Sequence, residues 1–341
     1  MQVRQQEDSS LRRGGYHSPE AEEASDQAVD QVRVPIELEN LADLLDPLEL
    51  TDRAVFWHVP RSGGGTIKDV TAHCFGLVLA SEAGSALQRQ QELQAQSQSS
   101  QPVQLQQFQQ QQQQQQQPLT IVTDLDGGKY VNVDVTTREG IAEAATMGIS
   151  NLEGLTMIAT PYLYESGLQL LSRYHRGRVF TMLRHPIERA ASMYHYLSGS
   201  VESTVIDGLT LEDSANSDKV EMNWMVHFLT NTPDSEGVTA DVHLPIAKRI
   251  LRDKVLIGLL HHKGESLRRF ETYFGWQLDG EKMEDCHTKV LDWSWPQKNK
   301  HPPIHEGSEA WKLLKGSNEL DVALYHYAEN LFREQGEIFK Q

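Results

Sequence analysis

The feature that most limits how this chain can fold is a short apolar run that ends in a glycine loop. Ala54-Val55-Phe56-Trp57-His58-Val59 is stopped by Pro60, and Arg61-Ser62-Gly63-Gly64-Gly65-Thr66 follows. A run this short, rich in branched and aromatic side chains and bounded by Pro and Gly, predicts a buried strand. The spacing from Thr66 to Leu79 predicts a helix. A lone strand and helix cannot hold such a loop in shape, so the segment needs a larger sheet around it.

The second half of the chain supplies one. Arg178-Val179-Phe180-Thr181-Met182-Leu183 predicts a strand, and Pro186, a residue suited to a first turn, opens a helix after it. Val255 to Leu260 is a further apolar run, and Leu267, Phe270 and Phe274 then share one helical face. Leu320, Ala323, Leu324, Tyr327 and Leu331 mark a C-terminal helix. Strands alternating with helices predict an α/β fold of the P-loop type, three layers with a central, mainly parallel sheet. Such sheets bind ligands at the carboxyl ends of their strands.

Composition sets the boundaries. The first 50 residues carry twelve Asp and Glu against four Arg, about half of the formal net charge of −17. This acidic stretch is too polar to fold through about residue 35, and Ile36, Leu38, Leu41, Leu44, Leu45 and Leu48 predict a short helix beyond it. The domain proper runs from 51 to 341. It is interrupted at 85–118 by a low-complexity segment, 19 of the 30 residues from Gln88 to Gln117 being Gln, which predicts a disordered surface insertion.

An acidic chain does not suit general nucleic-acid binding, which draws its affinity from basic residues neutralising phosphates. Cys74 and Cys286 have no metal-ligand spacing and are either one disulfide or two small buried residues. No basic n-region with an apolar h-region opens the chain, and no apolar window reaches the roughly 20 residues of a membrane span.

Two segments carry chemistry. In Pro60 to Thr66, backbone N–H groups and a helix N-terminus converge where an anion would sit, and glycines let the backbone approach it closely. Arg61 adds charge, and Ser62 and Thr66 add hydroxyls. The order of residues is not a Walker A sequence, which needs Lys directly after its last Gly. The second segment is Arg184-His185-Pro186-Ile187-Glu188-Arg189-Ala190-Ala191-Ser192-Met193-Tyr194-His195-Tyr196-Leu197. Arg184 at a strand end and Ser192 two turns along the next helix are placed to hold a second phosphate.

Together these segments resemble the sulfotransferases, in particular the Golgi carbohydrate branch that includes heparan sulfate 2-O-sulfotransferase. The first is similar to that family's PKxGxT loop for the 5′-phosphosulfate, and the second to its RDPxERxxSxYxxL motif for the 3′-phosphate. The resemblance covers roughly residues 53 to 335. It implies transfer of a sulfuryl group from 3′-phosphoadenosine 5′-phosphosulfate to a carbohydrate hydroxyl without a metal, with Arg61, Ser62, Gly63, Gly64, Gly65, Thr66, Arg184 and Ser192 binding the donor. It implies a Golgi setting, although no anchor or signal is visible; a cytoplasmic setting is the alternative. Lys298 and Lys300, in a basic Pro-stopped loop, match a late loop that contacts the 3′-phosphate or the acceptor.

Three departures stand out. Arg61 replaces the family's loop Lys, keeping the charge on a wider, planar group. Gly64 and Gly65 replace positions that often carry Thr or Ser. The stretch Ile158-Ala159-Thr160-Pro161-Tyr162 lacks the His that serves as base in the related 2-O-sulfotransferase. Local candidates for the base are Glu165, taken first for its place before the Arg178 strand, then His73 and His58.

Overall fold

The computed structural model describes residues 28–97, 118–199, 206, 208–217, 222–233, 236–276, 286 and 301–340. Seven strands form one sheet: β1 (Arg53–Trp57), β2 (Val78–Ala80), β3 (Ile121–Thr123), β4 (Lys129–Val131), β5 (Met157–Thr160), β6 (Gly177–Leu183) and β7 (Val255–Leu259). Their order is β3-β4-β2-β5-β1-β6-β7, and all neighbours are parallel except β3 and β4. β1 lies between β5 and β6, with Phe56 level with Ala159 on one side and Phe180 on the other. All five of its residues are buried, as a strand covered on both faces requires.

Side chains alternate between two cores. Val55, Trp57, Val179 and Ile257 point to one, under α4 (Leu163–Gln169), α7 (Trp224–Thr230), α8 (His243–Lys254) and α11 (Glu319–Gln335). Ala54, Phe56, Phe180 and Leu256 point to the other, under α1 (Gly64–Asp69) and α9 (Lys263–Phe274). This is the three-layer α/β arrangement expected from the alternation of elements. The remaining helices are α2 (Glu82–Ser97), α3 (Arg138–Thr146), α5 (Pro186–Ser198), α6 (Leu211–Ala215) and α10 (Glu309–Ser317).

Three expectations need correction. The helix over Thr66 to Leu79 ends early: α1 widens into a π turn (Val70–Cys74), and Val78–Ala80 joins the sheet as β2. Thr71 Oγ1 donates back to Ile67 and Lys68 carbonyls at 2.8 and 3.0 Å, and Gly76 at φ +63° turns the chain away. The helix over 36–50 is only a 3₁₀ turn (Ile36–Leu38). Its carbonyls are taken by the buried Arg178, which donates to Asp43 and Asp46 at 2.8 and 2.9 Å, to Pro47, and to the Asp52 carboxylate at 2.6 Å. A helix would have used those carbonyls internally. Finally, the segment from 85 to 97, assigned to the disordered insertion, continues α2, since Gln, Glu, Leu and Ala are good helix formers and Gln88 bonds Glu92 one turn on at 2.8 Å. Residues 98–117 lie outside the described residues.

The β7 edge of the sheet is closed by side chains. Gln335 of α11 accepts from the Ile257 N–H and donates to the Val255 carbonyl, at 2.8 and 2.9 Å. Ser266 Oγ accepts from the Leu259 N–H at 2.9 Å and reaches its carbonyl at 3.2 Å. The Val255 carbonyl, the Ile257 N–H and both groups of Leu259 are therefore satisfied without a neighbouring strand. The two cysteines are paired: Cys74, at the end of the π turn, is disulfide-bonded to Cys286, with Cα atoms 5.9 Å apart.

Candidate functional site

The glycine loop leaves the carboxyl end of β1, an interior strand between β5 and β6, so it stands over the sheet and away from its margins. Arg61 and Gly63 both take left-handed backbone conformations, at φ +64° and +87°. For Gly63 this is free of penalty, and a Cβ there would also lie 2.8 Å from Leu260. For Arg61 it is a strained conformation costing about 1–3 kcal/mol, the kind retained where a loop is built for binding. The strain turns the backbone so that Gly64 starts α1 with its first N–H groups outside the helix's own bonding. Ser62 is fully buried beneath the loop, and its Oγ has no hydrogen-bond partner among the described residues.

The second motif reaches the same place from β6. Arg184 follows the strand and donates from Nη1 to the Arg61 carbonyl at 3.5 Å, while its Nε faces Glu188 at 3.2 Å. Ser192, 2% exposed, accepts from Arg61 Nε at 3.3 Å. The Arg61 guanidinium also lies 4.7 Å over the Tyr196 ring, one turn beyond Ser192 on α5. Burial draws the Arg61 pKa below the usual arginine value, Arg184's like charge acts in the same direction, and Tyr196 opposes. Two guanidiniums, a buried serine and a helix start thus converge on one small volume suited to a phosphorylated anion.

The sequence-predicted residues divide accordingly. Arg61, Ser62, Gly63, Gly64, Arg184 and Ser192 come together, and Gly65 and Thr66 lie on the first turn of α1 beside them. Gly65 has open space where a Cβ would sit. Gly64 does not: a Cβ there would fall 2.1 and 2.2 Å from Cδ2 and Nε2 of His58. Glu165 on α4 is bound to Arg138 at 2.5 Å. His73 faces the Asp69 carbonyl at 3.0 Å and Asp124 at 2.9 Å. Lys298 and Lys300 lie outside the described residues. Tyr196 was missed, although its spacing of four from Ser192 places both on one helix face.

His58 stacks on Phe56 at 5.7 Å and is half-buried. Burial, then the nearby Lys68 charge, lowers its pKa to about 4, with Glu82 acting in the opposite direction. The imidazole is therefore neutral in the folded chain at pH values where the unfolded chain takes up a proton. Stability from this group is present above the ordinary histidine pKa of 6.5 and is lost as pH falls through 4. The difference is worth up to about 3 kcal/mol. Urea denaturation of wild type and His58→Gln at pH 7.5 and pH 4.5 is expected to show a smaller pH-dependent loss in the variant. An equal loss in both would contradict the lowered pKa.

Among the described residues no group of His, Cys, Asp and Glu is arranged to hold a metal ion, and no helix is long and apolar enough to cross a membrane. No protein-family model matches the chain, and no curated protein matches it.

Proposed function

We propose that the chain is a sulfotransferase that moves a sulfuryl group from 3′-phosphoadenosine 5′-phosphosulfate to a hydroxyl of a carbohydrate, in the lumen of the Golgi. The observation that carries this reading is the meeting of the two motifs: Arg61 of the loop bonds Ser192 of the second motif at 3.3 Å, and Arg184 bonds the Arg61 carbonyl. Segments 131 residues apart that resemble a 5′-phosphosulfate loop and a 3′-phosphate clamp are adjacent, as a single nucleotide carrying both groups would need. The loop N–H groups would hold the 5′ end, Arg184 and Ser192 the 3′-phosphate, and Arg61 lies between the two. Preorganised donors of this kind stabilise charge building on a departing phosphate by about 3 kcal/mol each. The Cys74–Cys286 bond supports a lumenal setting, since disulfides persist where the surroundings are oxidising. The carbohydrate acceptor rests on the resemblance of the motifs.

The test is thermal stabilisation by adenosine 3′,5′-bisphosphate in chelator. Ligand at a hundred times its Kd adds about 2.7 kcal/mol to the native state. The wild-type midpoint is expected to rise and the Arg184→Ala midpoint to stay where it was. No shift in either protein, or stabilisation by ATP only with magnesium, would replace this reading with that of a different nucleotide enzyme.

A further inference from the structure

The sulfotransferase reading leaves the proton of the acceptor hydroxyl without a taker, and the geometry beside the loop supplies one. In an in-line transfer, the new O–S bond forms opposite the S–O bond that breaks. Arg61, Arg184 and Ser192 stand on the β6 side of the loop, so the departing nucleotide lies there. The acceptor then enters from the other side, over the carboxyl ends of β5 and β2. The backbone of His58 continues β1 beside β5, its main-chain N–H bonding the Thr160 carbonyl at 2.9 Å, and its ring lies between Phe56 and Gly64. Lys68 of α1 is ion-paired there with Glu82, the first residue of α2 after β2, and both charges act on the His58 ring.

The other two local bases are engaged. Glu165 is held by Arg138 at 2.5 Å. His73 has one ring nitrogen on the Asp69 carbonyl and the other on Asp124; burial lowers its pKa, but these partners together raise it above the ordinary value and favour a cation that donates at both nitrogens. His58 differs: neither of its ring nitrogens has a hydrogen bond to any described residue, and Nε2 lies against the backbone of Gly64.

We propose, resting on the sulfotransferase reading, that His58 is the general base of the transfer. The acceptor O–H gives its proton to a ring nitrogen of His58, and its oxygen bonds to sulfur. The S–O bond to the 5′-phosphate breaks, adenosine 3′,5′-bisphosphate leaves with the electron pair, and the imidazolium returns its proton to solvent. The imidazole fills the space that a side chain at Gly64 would take.

The experiment measures release of labelled sulfate from 3′-phosphoadenosine 5′-phosphosulfate to water and its transfer to O-desulfated heparin, in wild type, His58→Gln and His58→Ala. Bisphosphate stabilisation is followed in the same samples. Loss of a general base is expected to lower kcat on the order of a hundred- to ten-thousandfold, with the bisphosphate shift retained. Added imidazole should restore turnover of His58→Ala in proportion to its free-base form, a response that a packing role for His58 would not give. A kcat within about threefold of wild type in His58→Gln, or a loss that imidazole leaves untouched, overturns the assignment. A wild-type chain that is not stabilised by the bisphosphate defeats the sulfotransferase reading first, and His58's role with it. One that is stabilised yet transfers sulfate to neither acceptor defeats the catalytic role alone.

Discussion

Asp321→Ala is expected to cost about 3–5 kcal/mol of stability, the range for breaking a buried charged network by removing one partner. Asp321, on α11, is fully buried and accepts from the N–H groups of Met225 and Val226 in the first turn of α7, at 2.9 and 3.0 Å. Burial raises its carboxyl pKa above the usual carboxylate value, and the charge of Arg189 together with those two N–H groups opposes the rise. Arg189 is itself 1% exposed and lies 5.5 Å from the Trp224 ring. The carboxylate therefore ties α7 to α11, with the Arg189 charge acting on it from α5, the helix that carries Ser192 three residues further on. Asn223 returns the arrangement, accepting from the Leu320 and Asp321 N–H groups. Asp321→Asn keeps the shape and one acceptor but not the charge, so it should lie between wild type and alanine. Urea midpoints at constant slope would show this order. A loss below about 1 kcal/mol for alanine would mean that the network contributes no more than an ordinary hydrogen bond.

The second large effect is that of the disulfide. Cys74 and Cys286 are 212 residues apart, and closing a loop of that length in the unfolded chain corresponds to about 5 kcal/mol in the chain-entropy account. Cys286→Ser should lower the midpoint by about 10 °C or more. A phosphine reductant should do the same to wild type and nothing further to the variant. A reduced wild type that melts at its oxidised temperature would show that the bridge does not constrain the unfolded chain.

How much of this was legible depends on whether the signal was local. Val179 to Leu183, Pro186 and the helix after it, and Val255 to Leu259 were all readable because their partners lie on both faces and make the runs continuously apolar. β3 and β4, three residues each with exposed positions, offered no such run. The 36–50 segment read as a helix because its leucines are suitably spaced, but Arg178 collects its carbonyls from more than a hundred residues away, which no local pattern records. The site divides in the same way. Arg184 and Ser192 sit in a motif with fixed spacing, whereas the packing of His58 against Gly64 appears only when the loop is folded over the strand end. Glu165 was favoured by its place in the chain, and Arg138, 27 residues earlier, is what engages it.

The closed margin of the sheet at β7 bears on how the protein behaves in company. A bare margin strand offers a row of donors and acceptors to any passing extended chain, and is a common seed of aggregation. Here Gln335 and Ser266 act as a stand-in eighth strand that has no far side to offer. The opposite margin, β3, is only three residues long and follows the glutamine-rich stretch in sequence. Glutamine-rich stretches are prone to β-aggregation, so in crowded surroundings self-association of this protein would begin at the β3 end rather than along β7.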